Sequence, residues 1–334
     1  MRLLSAVVVV CVVAVCSVGY IFLGSAFKNG TTQYVYVDAD DTMDSVYVKL
    51  SEAGLKRTSA FMFLANHSDY ADNVKTGRYA IAPGISVYKM FRHLQRGMQE
   101  PVNLTVPSVR TLDKLAAVLS SKLMMDSATI VNALYSQTKA ESLGYDTATM
   151  PCLFIPNTYQ IYWNVSVDDL LARMKKEHDA FWNSERMAKA SAASLTPNEV
   201  TTIASIVDEE TANDGEKPMV AGMYINRLKA GMPLQADPTI KFALKQFELK
   251  RIYNALLSVA SPYNTYRNIG LPPGPIRIPT VAGIDAVLSY VHHDYMYMCA
   301  KEDFSGTHNF ARTYAEHLQN AARYSAALNA RGIK

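Results

Sequence analysis

Residues 3–27, LLSAVVVVCVVAVCSVGYIFLGSAF, contain no charged side chain. In lipid, the backbone groups of such a run can be satisfied only within a helix. As a helix it is long enough to cross a hydrocarbon core of about 30 Å. Arg2 precedes it and Lys28 follows, a charge balance that leans only weakly toward a cytoplasmic N-terminus. The secretory look of the run and the size of the remaining polypeptide place residues 28–334 outside the cytoplasm. A cleaved signal peptide has an apolar core of about 7–15 residues, shorter than this one. Lipidation at Cys16 would want a small residue where Val15 stands. The length therefore favours an uncleaved single-pass anchor over residues 1–27.

The chain has 334 residues, 49% of them apolar, enough for a substantial core and two globular units. Its 33 basic and 30 acidic residues give a net charge of +3 and are well mixed. The basic stripe of a nucleic-acid binder is missing, so no nucleic acid is expected as a partner. Of four cysteines, Cys11 and Cys16 lie in the apolar run. Cys152 and Cys299 could form one disulfide or remain two buried thiols.

Beyond the anchor, one layout occurs three times: an extended run, a turn, a Ser/Thr cap and an amphipathic helix. The extended runs begin at Tyr34, Tyr79 and Val102, and the caps are Thr42, Ser86 and Thr111. Four residues after each cap come Val46, Met90 and Leu115, and four later Leu50, Leu94 and Leu119. That register predicts strand–helix units that cover one another's apolar faces in a compact α+β module over residues 34–123. Such a module serves either as a polymer binder or as a spacer. Residues 150–163, MPCLFIPNTYQIYW, then interrupt several helical stretches. Their aromatics suit either core or sugar stacking. One amphipathic helix is expected over residues 168–193.

Residues 196–211, TPNEVTTIASIVDEET, predict a helix with a defined start. Thr196 caps it, Pro197 fits the first turn, and Glu199 completes a capping box. Val200, Ile203 and Val207 form an apolar stripe. At about 100° per residue, Glu210 lies roughly 60° from Val207, with Asp208 and Glu209 about 100° and 160° away. Of the three acids, phase turns only Glu210 toward the apolar side. Desolvation there disfavours its charged form and suits it to general acid work near neutral pH; the alternative is a solvated acidic helix end.

A second helix carries residues 220–228 and ends near Gly231 and Pro233. In QADPT, Gln235, Asp237 and Thr239 precede or open another helix, with Asp237 before Pro238 reading first as a cap. Residues 261–279, SPYNTYRNIGLPPGPIRIP, are too rich in proline and glycine for a regular element. Each proline fixes its φ, so this loop is stiff. Its Tyr263, Asn264 and Tyr266 suit a hydroxyl-rich ligand, and a structural crossing loop is the other reading. His292, His293, Asp294 and His308 have no recognised metal-site spacing, so no metal and no cofactor is expected.

ASIVDEET at 204–211, YINRLKAGMPLQADPT at 224–239, the Pro-rich block at 261–279 and GTHNFARTYAEH at 306–317 resemble, in order and spacing, the endolytic murein transglycosylases of the YceG-like family. FIPNTY at 154–159 and Gly77-Arg78-Tyr79 are weaker marks. The resemblance implies an α+β fold in three parts: the transmembrane anchor (1–27), a LysM-like glycan-binding module with connecting helices (28–150), and a catalytic domain (151–334). It implies a single-pass protein of the bacterial inner membrane, its catalytic domain on the periplasmic side. It also implies peptidoglycan glycan strands as substrate and peptidoglycan synthases as partners. The last acid of the family's motif corresponds to Glu210, the acid that helical phase also selects. In such enzymes one glutamate protonates the glycosidic oxygen between N-acetylmuramic acid and N-acetylglucosamine. It then takes the proton from the muramoyl C6 hydroxyl as that oxygen closes on C1, leaving a 1,6-anhydro end.

No second carboxylate shares the apolar face of the helix, which fits a reaction whose nucleophile comes from the substrate rather than the two-carboxylate arrangement of ordinary glycosidases. Gln235, Asp237, Thr239, Tyr263, Asn264 and Tyr266 are the candidates for lining the cleft. Three departures from the family pattern stand out. Asp208 replaces a glutamate, off the apolar stripe, which puts a supporting role for it in doubt. Ser108-Val109 and Pro151-Cys152 each replace a Glu-Gly, outside the catalytic half. An inactive glycan-binding scaffold and a hydrolytic glycosidase are the competing readings.

Overall fold

The computed structural model describes residues 2–27, 29–249 and 252–332; Lys28, the charge after the apolar run, lies outside them. The fold is α+β. Helix α1 (Arg2–Leu23) is followed by β1 (Gln33–Val37), α2 (Met43–Glu52), α3 (Thr58–Asn66), β2 (Gly77–Ile81), α4 (Val87–Arg96) and β3 (Val102–Val106). Next come α5 (Leu112–Ser120), α6 (Ser127–Leu134), α7 (Gln137–Ser142), β4 (Asn157–Ile161), α8 (Val167–Phe181) and α9 (Ser184–Ala192). The rest is α10 (Pro197–Glu210), α11 (Lys217–Lys229), α12 (Asp237–Leu244), α13 (Val281–Leu288), β5 (Tyr297–Ala300), β6 (His308–Ala311) and α14 (Tyr314–Ala330). Within α1, Ser5–Leu23 has a mean hydropathy of 2.8 and none of it is buried against protein. Among the described residues it is the one helix long and apolar enough to cross a membrane.

Two compact units form. The first runs to residue 104 and adds 122–125 and 159–166. In it β1 and β2 pair antiparallel, with Val35 opposite Tyr79. Alternation along β1 buries Val35 and Val37 and exposes Tyr34 and Tyr36, as period two requires. Thr42 and Ser86 cap α2 and α4 by accepting the Ser45 and Lys89 N–H groups. Val46, Leu50, Met90 and Leu94 point into the core, where Phe61, Tyr70 and Phe91 meet edge to face.

The second unit holds residues 105–121, 126–158 and 167 onward. Of the third strand–helix copy, residues 102–104 and 122–123 fall in the first unit and 105–121 in the second. Thr111 caps α5 as expected, but Leu112, Leu115, Ala116 and Leu119 are buried as α5 packs on α6, and β3 pairs with β4. The single helix expected over 168–193 breaks between α8 and α9, because the Asn183 side chain accepts the Arg186 N–H and starts a new helix. The core of this unit forms where α10 packs on α11 and α13, around Val200, Ile203, Val207, Val220, Tyr224, Ile284 and Val287. All four cysteines are unpaired, Cys152 buried and Cys299 half-buried.

Candidate active site

Helix α10 begins as its sequence dictates. Thr196 Oγ1 accepts the Glu199 N–H at 3.3 Å, and Glu199 Oε2 accepts the Thr196 N–H at 2.7 Å, a closed capping box. Its middle is buried all round. Thr201, Thr202 and Ser205 are sealed with the apolar residues, and their hydroxyls donate to the carbonyls of Pro197, Asn198 and Thr202 at 2.7–2.8 Å, so no polar group is left unsatisfied. Ser205 Oγ also accepts the Ile276 N–H at 3.0 Å, which ties the Pro-rich segment to α10.

Three acids end this helix, where the backbone dipole already disfavours negative charge. Two of them are neutralised. Asp208 accepts the Thr280 N–H at 2.6 Å and pairs with Lys217 at 2.7 Å, both side chains nearly sealed. Glu209 receives a two-pronged contact from Arg110, 2.8 Å on each oxygen, and a third from Arg277 at 3.0 Å. The phase reading that turned only Glu210 inward is thus corrected. Asp208 and Glu209 are also largely buried, each on its own side of the helix, because cations from other elements meet them there.

Glu210 has no such cation among the described residues. Among the described residues its hydrogen-bond partner is the Tyr224 hydroxyl of α11, which donates to Oε1 at 2.6 Å. Burial pushes its carboxyl up to about 7; the Tyr224 bond pulls down, the charge of Asp237 pushes up, and His308 and Lys241 pull down. Desolvation prevails over the hydrogen bond. The group is therefore substantially protonated at neutral pH and able to give up a proton.

Glu210 opens onto a cleft of about 660 Å³ that also carries Tyr224, Arg227, Gln235, Asp237, Tyr266 and His308, within the usual range for ligand sites. Arg227, one turn beyond Tyr224, is buried, with no acid partner among the described residues. It donates to the carbonyls of Met296, Pro233 and Leu234 at 2.6, 3.1 and 2.9 Å, and to Gln235 Oε1 at 3.3 Å. Its positive charge is thereby fixed beside the cleft.

The sequence profile of the YceG-like family matches residues 35–323. The chain belongs to the YceG-like family. Curated relatives named endolytic murein transglycosylase occur in Streptococcus pneumoniae, 27% identical over 326 residues, and in Bacillus subtilis, 25% identical over 291 residues. These alignments cover 87% and 82% of this chain, and 58% and 79% of those relatives. The chain thus spans little more than half the length of the streptococcal protein. A crystal structure of a YceG-like protein from Listeria monocytogenes superposes with a TM-score of 0.56 at 25% identity, covering 87% of this chain and 99% of that one.

In this YceG-like chain the candidate cleft residues separate. Gln235, held in the left-handed region at φ 51°, Asp237 and Tyr266 line the cleft with Glu210. Asp237 is the first residue of α12 and not its cap; its carboxylate accepts the Tyr266 hydroxyl at 2.5 Å. A second carboxylate therefore reaches the cleft, from an element other than α10. Thr239 and Asn264 do not line it. Both are fully buried, Thr239 bonded to Ala236 O and Thr265 Oγ1, and Asn264 to the carbonyls of Leu257 and Val259, so they stiffen the loop from behind. Tyr263 packs on Phe242 and faces a separate cavity of about 160 Å³.

Several contributors escaped the sequence reading. Tyr224 and Arg227 share a face of α11 at i, i+3. Ser108, set outside the catalytic half, donates to Ile278 O at 2.6 Å and accepts from Arg277 at 2.8 Å, next to the Glu209 contact. His308, read among possible metal ligands, is held by Glu216.

Proposed function

We propose that this chain is a membrane-anchored endolytic murein transglycosylase and that Glu210 is its single acid and base. The observation that carries the reading is the state of Glu210: at a helix C-terminus, on a polar cleft, without a paired cation among the described residues, and pushed up to about 7. Protonated Glu210 gives its proton to the oxygen between N-acetylmuramic acid and N-acetylglucosamine as the C1–O bond breaks. The carboxylate left behind is stabilised by the Tyr224 hydroxyl and takes the proton of the muramoyl C6 hydroxyl while O6 bonds to C1. Glu210 ends as it began and no water is consumed. The names of the streptococcal and bacillar relatives support this assignment.

The same proposal has α1 as a single-pass anchor in the cytoplasmic membrane with the remaining chain on the outer side. It assigns residues 28–150 to a LysM-like glycan-binding module with its connecting helices and residues 151–334 to the catalytic domain, and it expects peptidoglycan synthases as partners. A second reading draws on Asp237, which lines the same cleft: two carboxylates could serve a hydrolase that activates water. Mass spectrometry of murein digested by the full chain separates them. Transglycosylation leaves 1,6-anhydro-muramic ends, hydrolysis leaves reducing ends, and a binding scaffold leaves murein uncut.

A further inference from the structure

Glu216, at the start of α11, is buried, and both of its oxygens are occupied by one residue. Oε1 accepts the His308 backbone N–H at 2.6 Å, and Oε2 lies 3.0 Å from His308 Nδ1. A carboxylate only accepts, so Nδ1 carries the hydrogen and donates it. In the neutral imidazole Nε2 then keeps a bare lone pair. His308 lines the cleft with Glu210 and Asp237, and Nδ1 is the ring nitrogen that Glu216 occupies, which leaves Nε2 for the cleft.

The neighbouring polar groups restrict what Nε2 can meet. Two cleft hydroxyls are already engaged, Tyr224 by Glu210 and Tyr266 by Asp237, and Arg227 directs its Nε and Nη1 at carbonyls. At Nε2 itself a ligand carboxylate or phosphate oxygen would meet only another lone pair. A ligand O–H finds an acceptor.

We infer that His308 is a substrate-binding residue whose Nε2 accepts a hydrogen bond from a hydroxyl of the bound sugar, and that Glu216 is the positioning residue that fixes the ring in this tautomer. The inference rests on the glycan reading of the cleft and adds to it a recognition element from β6. If Glu216 merely tied β6 to α11, the tautomer would be the same but turnover would not depend on it.

Glu216→Gln distinguishes the two. The glutamine oxygen must face the His308 backbone N–H, so its amide N–H group faces the ring, and Nδ1 becomes the acceptor. Nε2 then carries the hydrogen and presents a donor to the cleft with both contacts kept. In the detergent-solubilised full chain labelled with 15N-histidine, His308 should be the Nδ1–H tautomer in the wild type and the Nε2–H tautomer in Glu216→Gln. Soluble murein fragments should shift the wild-type Nε2 resonance. On murein, kcat/KM should fall about tenfold in Glu216→Gln and in His308→Ala, and the double variant should fall no further than His308→Ala. Full activity of Glu216→Gln despite the changed tautomer, or an equal further loss in the His308→Ala background, overturns the inference. A wild-type chain that shifts with fragments but cuts nothing overturns the transglycosylase reading and leaves this one standing; absence of any Nε2 shift overturns it.

Discussion

Tyr224, on the helix after α10, donates its hydroxyl to Glu210 at 2.6 Å, and no cation shares that carboxylate among the described residues. The bond favours the charged form of Glu210 against the desolvation that opposes it. Tyr224→Phe removes it and should raise the Glu210 pKa further, by about one unit. Because the first step uses protonated Glu210, wild-type kcat/KM should decline as pH rises above about 7. In the variant that decline should begin about one pH unit higher. An alkaline limb that stays in place would show that this hydroxyl does not tune the acid.

The same burial has a cost in stability. The carboxyl holds its proton up to about 7, against an ordinary value of 4.5. Below 4.5 both folded and unfolded chains are protonated and nothing is lost. As pH rises from 4.5 to 7 the unfolded chain ionises first, and wild-type stability falls by about 3 kcal/mol, then levels off. Glu210→Gln does not titrate. Its thermal midpoint should match the wild type near pH 4 and exceed it at pH 8, and equal midpoints at both would contradict the desolvated carboxyl.

Asp208 and Lys217 form the most enclosed ion pair of the site, with side chains 2% and 6% exposed. Removing one partner leaves a buried charge, so Lys217→Met should cost about 3 kcal/mol in denaturant unfolding. Asp208→Asn combined with Lys217→Met should cost less than the two single changes summed. Strict additivity would mean that the pair contributes nothing through contact.

How much of this was legible in the sequence varies with the range of the interaction. The start of α10 was, since Thr196, Pro197 and Glu199 act within one turn. So were the caps Thr42, Ser86 and Thr111, because each bonds an N–H three residues away. What local pattern could not carry was which distant element meets which face. Arg110 and Arg277 reach Glu209 from 99 and 68 positions away, so a helical wheel showed an exposed acid where the fold closes an ion pair. The sequence offers Asp237 as a cap or as a cleft residue; in the structure it is the first residue of α12, and its carboxylate accepts from Tyr266, 29 residues on. In the Pro-rich loop, composition announced a segment without regular elements, as the structure has it. It did not show that Asn264 and Tyr263 serve the loop and a second cavity while Tyr266 serves the cleft.

Glu210 as the one acid and base is tested most directly on purified murein, by mass spectrometry of the ends released by the full wild-type chain and by Glu210→Gln at equal, folded concentrations. The wild type should release 1,6-anhydro-muramic ends and the variant none. Undiminished anhydro ends from Glu210→Gln would contradict the assignment of Glu210.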